Sequence, residues 1–221
     1  MTPDLTPARA ATVRSGLGRP GPAEDGRQPI LDAAAKVFAE RGYISTTLDS
    51  IADELRSTKG RIYHYYRGKA EVFLDVVLTG MQDLHAQLAP IVEDASLSPT
   101  ERLASMVRTH AAQMMVRNYG QKVSVHALEM RSVPEIAIHT KVLDEVFELR
   151  RAYEQLFVDA VEAGVATGEL APVDSRVAVK AALGSLNWIP IWYSPERSTP
   201  EEVKRVSDAF AAFVVGGMKG S

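Results

Sequence analysis

Between Arg27 and Tyr66 the apolar residues recur at helical spacing three times, with breaks of only a few residues between the runs. Ile30, Leu31, Ala34, Val37 and Phe38 fall at i, i+3, i+4 and i+7 on one face, which marks an amphipathic helix. Arg41-Gly42 closes it with a residue that tolerates a left-handed backbone. TTLDSIADEL restarts the pattern with Thr46 or Thr47 as N-cap, Asp49 in the positive first turn, and Leu48, Ile51, Ala52 and Leu55 on the buried side. After a break at Arg56, Ser57 or Thr58 opens a third helix through Tyr66, whose Ile62 and Tyr66 belong with Leu55 and Phe38. Two helices joined by so short a turn, with a first able to pack across them, form a helix-turn-helix.

The rest of the chain keeps the same period. Val72, Phe73, Val76, Val77, Met81, Leu84 and Leu88 make a long stripe that runs until Pro90, and Ser98-Pro99 opens a further helix carrying Leu103, Met106, Val107, His110 and Met114. A helix follows over 121–131. Pro134 starts the longest pattern, closed by Gly164. Asp174 or Ser175 caps SRVAVKAALGSLNWIPIWY, and Thr199-Pro200 opens the last helix, which ends at Gly216-Gly217. The expectation is an all-α fold of about nine helices. Residues 1–26, with four of the twelve prolines and four of the fifteen glycines, read as a flexible arm. Its Arg9, Arg14 and Arg19 either reach a DNA groove or solvate the tail.

Composition narrows the function. There is no cysteine, so disulfides, thiolate metal sites and cysteine nucleophiles are excluded, and a reducing cytoplasm is the expected compartment. No run approaches the roughly 20 apolar residues that span a bilayer. The net charge of -3 hides a division: residues 1–70 carry eleven Lys/Arg against eight Asp/Glu, and the remainder carries fourteen against twenty. The window from Arg56 to Lys69 holds five Lys/Arg, one histidine and three tyrosines and no carboxylate. On the third helix the side opposite Ile62 and Tyr66 displays Lys59, Gly60, Arg61, Tyr63, His64 and Tyr65. Lysine and arginine neutralise phosphates, arginine also reads guanine, and tyrosine hydroxyls bond phosphate oxygens. Gly60 leaves room for close backbone approach, at a cost of about 1 kcal/mol in a helix interior. A solvated charged face is the plain alternative.

ILDAAAKVFAERGYISTTLDSIADELRSTKGRIYHYYRGKAEVF resembles, over residues 28 to about 75, the DNA-binding domain of the TetR family of bacterial transcriptional regulators. The likeness lies in A-x-x-x-F-A-E-R-G-Y, T-T-x-x-x-I-A, T-K-G-x-I-Y-x-Y-Y and K-x-E-V-F at fixed spacings. It implies a helix-turn-helix DNA-binding domain over 27–73 and a ligand-binding and dimerisation domain over 74–221. It also implies phosphate contacts by Thr47, Tyr65 and Lys69, and a groove surface of Lys59, Gly60, Arg61, Tyr63 and His64, with Arg61 reading bases. The family often carries glycine and a hydrophobic residue in the turn, where this chain has Arg56 and Ser57. The geometry of that turn, and a phosphate contact by Arg56, are therefore left to the structure.

For the acidic remainder the resemblance implies a homodimer through the last two helices, and Leu183, Leu186, Phe210, Phe213 and Val214 supply apolar faces there, with intrachain core as the alternative. It further implies a pocket for a hydrophobic or amphipathic effector, to which Met106, His110, Met114, His126, Met130, Phe147, Asn187, Trp188 and Trp192 are assigned; ordinary core is the alternative for each. LGSLNWIPIWYSP is similar to the eighth helix of family members that answer to acyl-CoA thioesters. His126 and Glu129, with His110 and His139, are the nearest approach to a metal site, but no HExxH, phosphate-binding loop or nucleophile elbow is present. The expected function is a dimeric, ligand-released repressor on a pseudo-palindromic double-stranded DNA operator, with no cofactor, no metal, no catalysis and no membrane partner. An activator of the same fold, a helical small-molecule-binding protein acting through protein contacts, and an all-helical enzyme are the rivals.

Overall fold

The computed structural model describes residues 26–130, 132–194 and 199–219, with the side chains of 118, 126, 128 and 129 left aside. The arm over 1–25, with its three arginines, lies outside the described residues. Eleven helices and no strand are found among the described residues.

Helix α1 (Gln28–Ser45) buries Ile30, Leu31, Ala34, Val37 and Phe38. Gly42 interrupts it at φ 75 and ψ 166, a region essentially reserved for glycine. That reversal folds Tyr43 back so that its ring stacks on Phe38 and meets Phe73 edge-on, at 5.9 and 5.0 Å between centroids. Helix α2 (Leu48–Glu54) starts in a capping box: Thr47 Oγ1 accepts from Ser50 N, and Ser50 Oγ accepts from Thr47 N, both at 3.1 Å. Helix α3 (Lys59–Tyr65) packs through fully buried Ile62, and Thr58 occupies its N-cap without a side-chain bond. The turn between them is made by Arg56 at φ 51. The left-handed conformation that glycine would supply is therefore kept, carried here by arginine at a cost of about 1–2 kcal/mol.

Helix α4 (Lys69–Glu93) leaves this unit with almost every residue from Ala70 to Leu78 buried, and it continues three residues past Pro90 instead of stopping there. One core gathers α1 to α3 and the first half of α4, together with Val123, Ile136, Val142 and Val146 from further along the chain. A second is built on Met81, Leu84 and Leu88 of α4. Around them pack α5 (Pro99–Val116), the later part of α8 (Thr140–Ala166), α9 (Ser175–Asn187) and α11 (Pro200–Met218). Ser98, Asp174 and Thr199 cap α5, α9 and α11 with their side chains.

Two runs expected as single helices are each split in two. The pattern from Pro134 splits into α7 (Pro134–Ala137) and α8, because the chain turns at Ile138 and His139 to seat Ile136 in the first core. The run through LNWIPIWY splits into α9 and α10 (Ile189–Trp192) at Trp188. Pro190, without an N–H, falls in the first turn of α10, where none is needed. Helix α6 (Asn118–Met130) begins three residues earlier than expected.

Candidate nucleic-acid interface and effector cavity

Burial of Ile62 and Tyr66 fixes the rotation of α3, so Gly60, Arg61, Tyr63 and His64 are exposed on its other side. Tyr63 is 45% exposed, which is high for a phenol ring. Lys59 pairs with Asp49 of α2 at 2.7 Å. A surface pair of this kind is worth at most about 1 kcal/mol, so the ammonium exchanges readily to a phosphate. A Cβ added at Gly60 would meet only Thr58 Oγ1, at an ordinary 3.6 Å. Nothing within the chain therefore demands glycine there, and its position in the first turn of a short helix keeps the helix cost below the interior figure. Thr47 and Arg56 are exposed beside this face.

Two assigned residues sit differently. Tyr65 is half-buried, edge-on to His64 at 5.0 Å, and its hydroxyl lies so close to the chain at Gly26 that a Cβ there would come within 1.9 Å. It is turned toward the root of the N-terminal arm more than outward. Lys69 donates to the carbonyls of Tyr43 and Ile44 at 2.9 and 3.5 Å and stands 4.3 Å over the Tyr43 ring. Its ammonium is thus held in place, with capacity left from three donors.

Behind the face is a polar node absent from the sequence reading. Tyr66 donates its hydroxyl hydrogen to buried Asp75 Oδ2 at 2.6 Å, and Arg27 forms an ion pair with the same oxygen. The start of α1, the end of α3 and the second turn of α4 are thereby tied together. Burial, then the Asp75 charge, push the Tyr66 phenol well above its ordinary range. Glu71, one turn earlier on α4, accepts from Arg67 N at 2.7 Å. The visible signal was two carboxylates at i and i+4 in an otherwise apolar stripe. Tyr43 also donates to Glu135 Oε2 of α7 at 3.0 Å, joining the end of α1 to the larger unit.

The larger unit contains a cavity of about 220 Å³ between α4, α5, α6, α8 and α9. Of the residues assigned to a pocket, His110, Met114 and Asn187 line it. Met106 is fully buried in the core, Met130 packs on the first core, and Phe147 is half-buried outside the lining. The side chain of His126 lies outside the described residues. Trp188 and Trp192 are 59% and 51% exposed. Successive helical residues project about 100° apart, so with Asn187 in the cavity its neighbour Trp188 must point away.

His110 is buried and bonded on both nitrogens: Nε2 donates to Asn187 Oδ1 at 3.2 Å, which leaves Nδ1 to accept from the Tyr153 hydroxyl at 2.9 Å. Burial brings its pKa down to about 4, so the ring is neutral. Arg150, Tyr153, Glu154 and Lys180, none singled out from the sequence, complete the polar wall.

Helices α9 and α11 present small and apolar surface. Val177, Ala181, Gly184 and Trp188 form an exposed stripe on α9, and Ala209, Phe213 and Gly216 one on α11, where Phe213 is 73% exposed. Phe210 is half-buried and stacked on Trp192 at 6.5 Å. Leu186 and Val214 are instead buried in this chain's own core, and Leu183 lines the cavity.

Family matches agree with this layout. The description "Bacterial regulatory proteins, tetR family" fits residues 30–76, and "Tetracyclin repressor-like, C-terminal domain" fits residues 96–218. The HTH-type transcriptional repressor KstR2 of Mycolicibacterium smegmatis is 25% identical over 196 residues, 88% of this chain and 91% of that protein. The solved ketosteroid transcriptional regulator KstR2 of Mycobacterium tuberculosis superposes with a TM-score of 0.76 at 23% identity, covering 91% of this chain and 98% of that one. AibR, solved in complex with isovaleryl coenzyme A and operator DNA, gives 0.68 at 24% identity, covering 85% and 97%. No described helix is long and apolar enough to cross a membrane. With the helix-turn-helix and the larger helical domain both matched along their lengths, this chain belongs to the TetR family of transcriptional regulators.

Proposed function

We propose that this protein is a cytoplasmic, ligand-responsive repressor that binds a pseudo-palindromic operator as a homodimer and is released by an apolar or amphipathic small molecule, with acyl-CoA thioesters the first class to test. The observation that carries this reading is the course of α4. Its Asp75 anchors the end of α3 through Tyr66, and its Met81 and Leu84 wall the cavity. Nine residues of helix, roughly 13 Å at 1.5 Å per residue, separate Asp75 from Leu84. A ligand that displaces the cavity end of this rod reorients the recognition helix at the other.

The exposed stripes on α9 and α11 support a dimer made by these helices. A two-fold dimer would set its recognition helices in successive major grooves, about 34–36 Å apart. The acyl-CoA class is supported by the likeness to AibR and by a cavity that accepts a short acyl chain while the bulk of a coenzyme stays outside. At typical allosteric coupling, release weakens operator binding by about 5- to 150-fold.

Fluorescence anisotropy on duplexes from the region upstream of its own gene tests the proposal. Expected are two chains per site, an affinity whose logarithm falls with log salt at a slope of about -0.9 per phosphate contacted, and release by isovaleryl-CoA or longer acyl-CoAs. An affinity flat from low to physiological salt would rule out phosphate neutralisation by the α3 face.

A further inference from the structure

Among the described residues Arg150 makes no direct ion pair; the Glu154 charge, one turn along α8, acts on it only from beyond bonding distance and is itself bonded to Lys180. Arg150 lies half-buried on α8 in the cavity wall, and one N–H reaches the Ser124 carbonyl at 3.3 Å. A guanidinium has five N–H donors, and among the described residues no carboxylate lies within ion-pair distance of this one. Glu154, the single acidic residue in the lining, is bonded to Lys180 Nζ at 2.8 Å. Two cations against one carboxylate leave the wall one positive charge in excess. His110, neutral and committed to Tyr153 and Asn187, does not alter that balance. Burial also depresses the Arg150 pKa, the sign of a cation partly removed from water. The same lining carries apolar surface from Met81, Leu84 and Met114, all buried.

We infer that the cavity is built for a small apolar body bearing one acid group, the acid pairing with Arg150 and the apolar body lying against Met81, Leu84 and Met114. A half-buried cation is costly while unpaired and strongly attractive to an anion that can reach it. The volume of about 220 Å³ equals roughly seven waters, so the enclosed part is a short chain or single ring. The inference rests on the reading of this cavity as the effector site, and it specifies the ligand chemistry.

Titration calorimetry on the full-length protein with straight-chain carboxylates from butyrate to decanoate, their primary amides and octanoyl-CoA tests it. The best carboxylate should bind about 10- to 100-fold more tightly than its amide. Arg150→Gln should abolish that preference, Arg150→Lys should keep most of it, and Arg151→Gln, on an exposed residue paired with Glu148, should leave it intact. Octanoyl-CoA binding that depends on Arg150, with the free acids silent, would assign the acid group to the coenzyme phosphates and still support the anchor. Equal binding of acid and amide, indifference to Arg150→Gln, or no binding by any of these probes would overturn it. Operator anisotropy in parallel separates the two proposals: Arg150-dependent binding that leaves operator affinity unchanged keeps the anion site and refutes the effector reading.

Discussion

His110 makes the fold sensitive to acid in a way that can be calculated. Its ring is buried, both nitrogens are satisfied in the neutral form, and the positive charge of Arg150 stands nearby. Burial, opposed by the bond to Asn187 and reinforced by Arg150, holds its pKa at about 4 against an ordinary 6.5. The folded pKa is depressed, so the unfolded chain takes up the proton first as pH falls. The stabilisation is present above pH 6.5 and is lost progressively toward pH 4. Between pH 7 and pH 4.5 such a shift removes about 2–3 kcal/mol from the unfolding free energy. Urea titrations at fixed protein concentration and a series of pH values measure it, since dimer stability depends on concentration. The comparison is with His110→Gln, which cannot take up that proton. Asp94, Glu169 and Asp208, held low mainly by bonds to Ser96, Thr100 and Lys204, also weaken in acid. They titrate in both proteins and cancel in the difference. If wild type and variant lose the same free energy between these two pH values, the buried neutral imidazole is not what the geometry indicates.

Other consequences are more local. Gly42→Ala, forcing a Cβ into a backbone region that glycine alone occupies readily, should cost about 1–3 kcal/mol in a urea midpoint measurement. Arg56→Gly should relieve the left-handed strain and raise stability by up to about 1 kcal/mol; if Arg56 also touches a phosphate, the salt slope of operator binding falls by about 0.9. Arg61→Ala should relax preference at one base position by about 1–3 kcal/mol, whereas Lys69→Ala should weaken every operator variant alike. Equal effects of the last two across a panel of operator variants would sink the division between reading and anchoring.

Local chemistry was legible and relative placement was not. The caps at Thr47, Asp174 and Thr199 and the reversal at Gly42 follow from single residues and their immediate neighbours, and all are where those residues put them. The amphipathic period also fixed which face of α3 is buried, because Ile62 and Tyr66 leave one choice. What escaped depends on which helix packs where. Arg150 and Tyr153 look like an ordinary amphipathic boundary within a long periodic run, and only the meeting of α8 with α5 and α9 turns them into a cavity wall. Trp188 and Trp192 stand close to Asn187 in the sequence, but Trp188 projects off another side of α9 and Trp192 belongs to α10, and both are exposed. Nothing in IAIHT signals a stop, so the sequence implies one long helix through Ile136; in the fold the chain turns after α7 and Ile136 fills an apolar seat in the first core.

The charge division of the chain acquires a purpose once the exposed face of α3 is placed. Non-specific DNA binding is mostly phosphate neutralisation, and it competes at every site in a genome. A body with more carboxylates than cations would disfavour approach to DNA in any orientation except the one led by the proposed contact face of Arg56, Lys59, Arg61 and Lys69. Like-charge repulsion elsewhere acts against wrong poses and costs nothing in the right one. Halving the negative excess of the acidic body, for example by Asp144→Asn, Glu148→Gln and Asp159→Asn on the exposed side of α8, should therefore raise affinity for random duplex more than for operator. Anisotropy with both duplexes at one salt concentration reads the ratio. An unchanged or widened ratio would mean that specificity rests on base contacts alone and that the acidic body has no part in it.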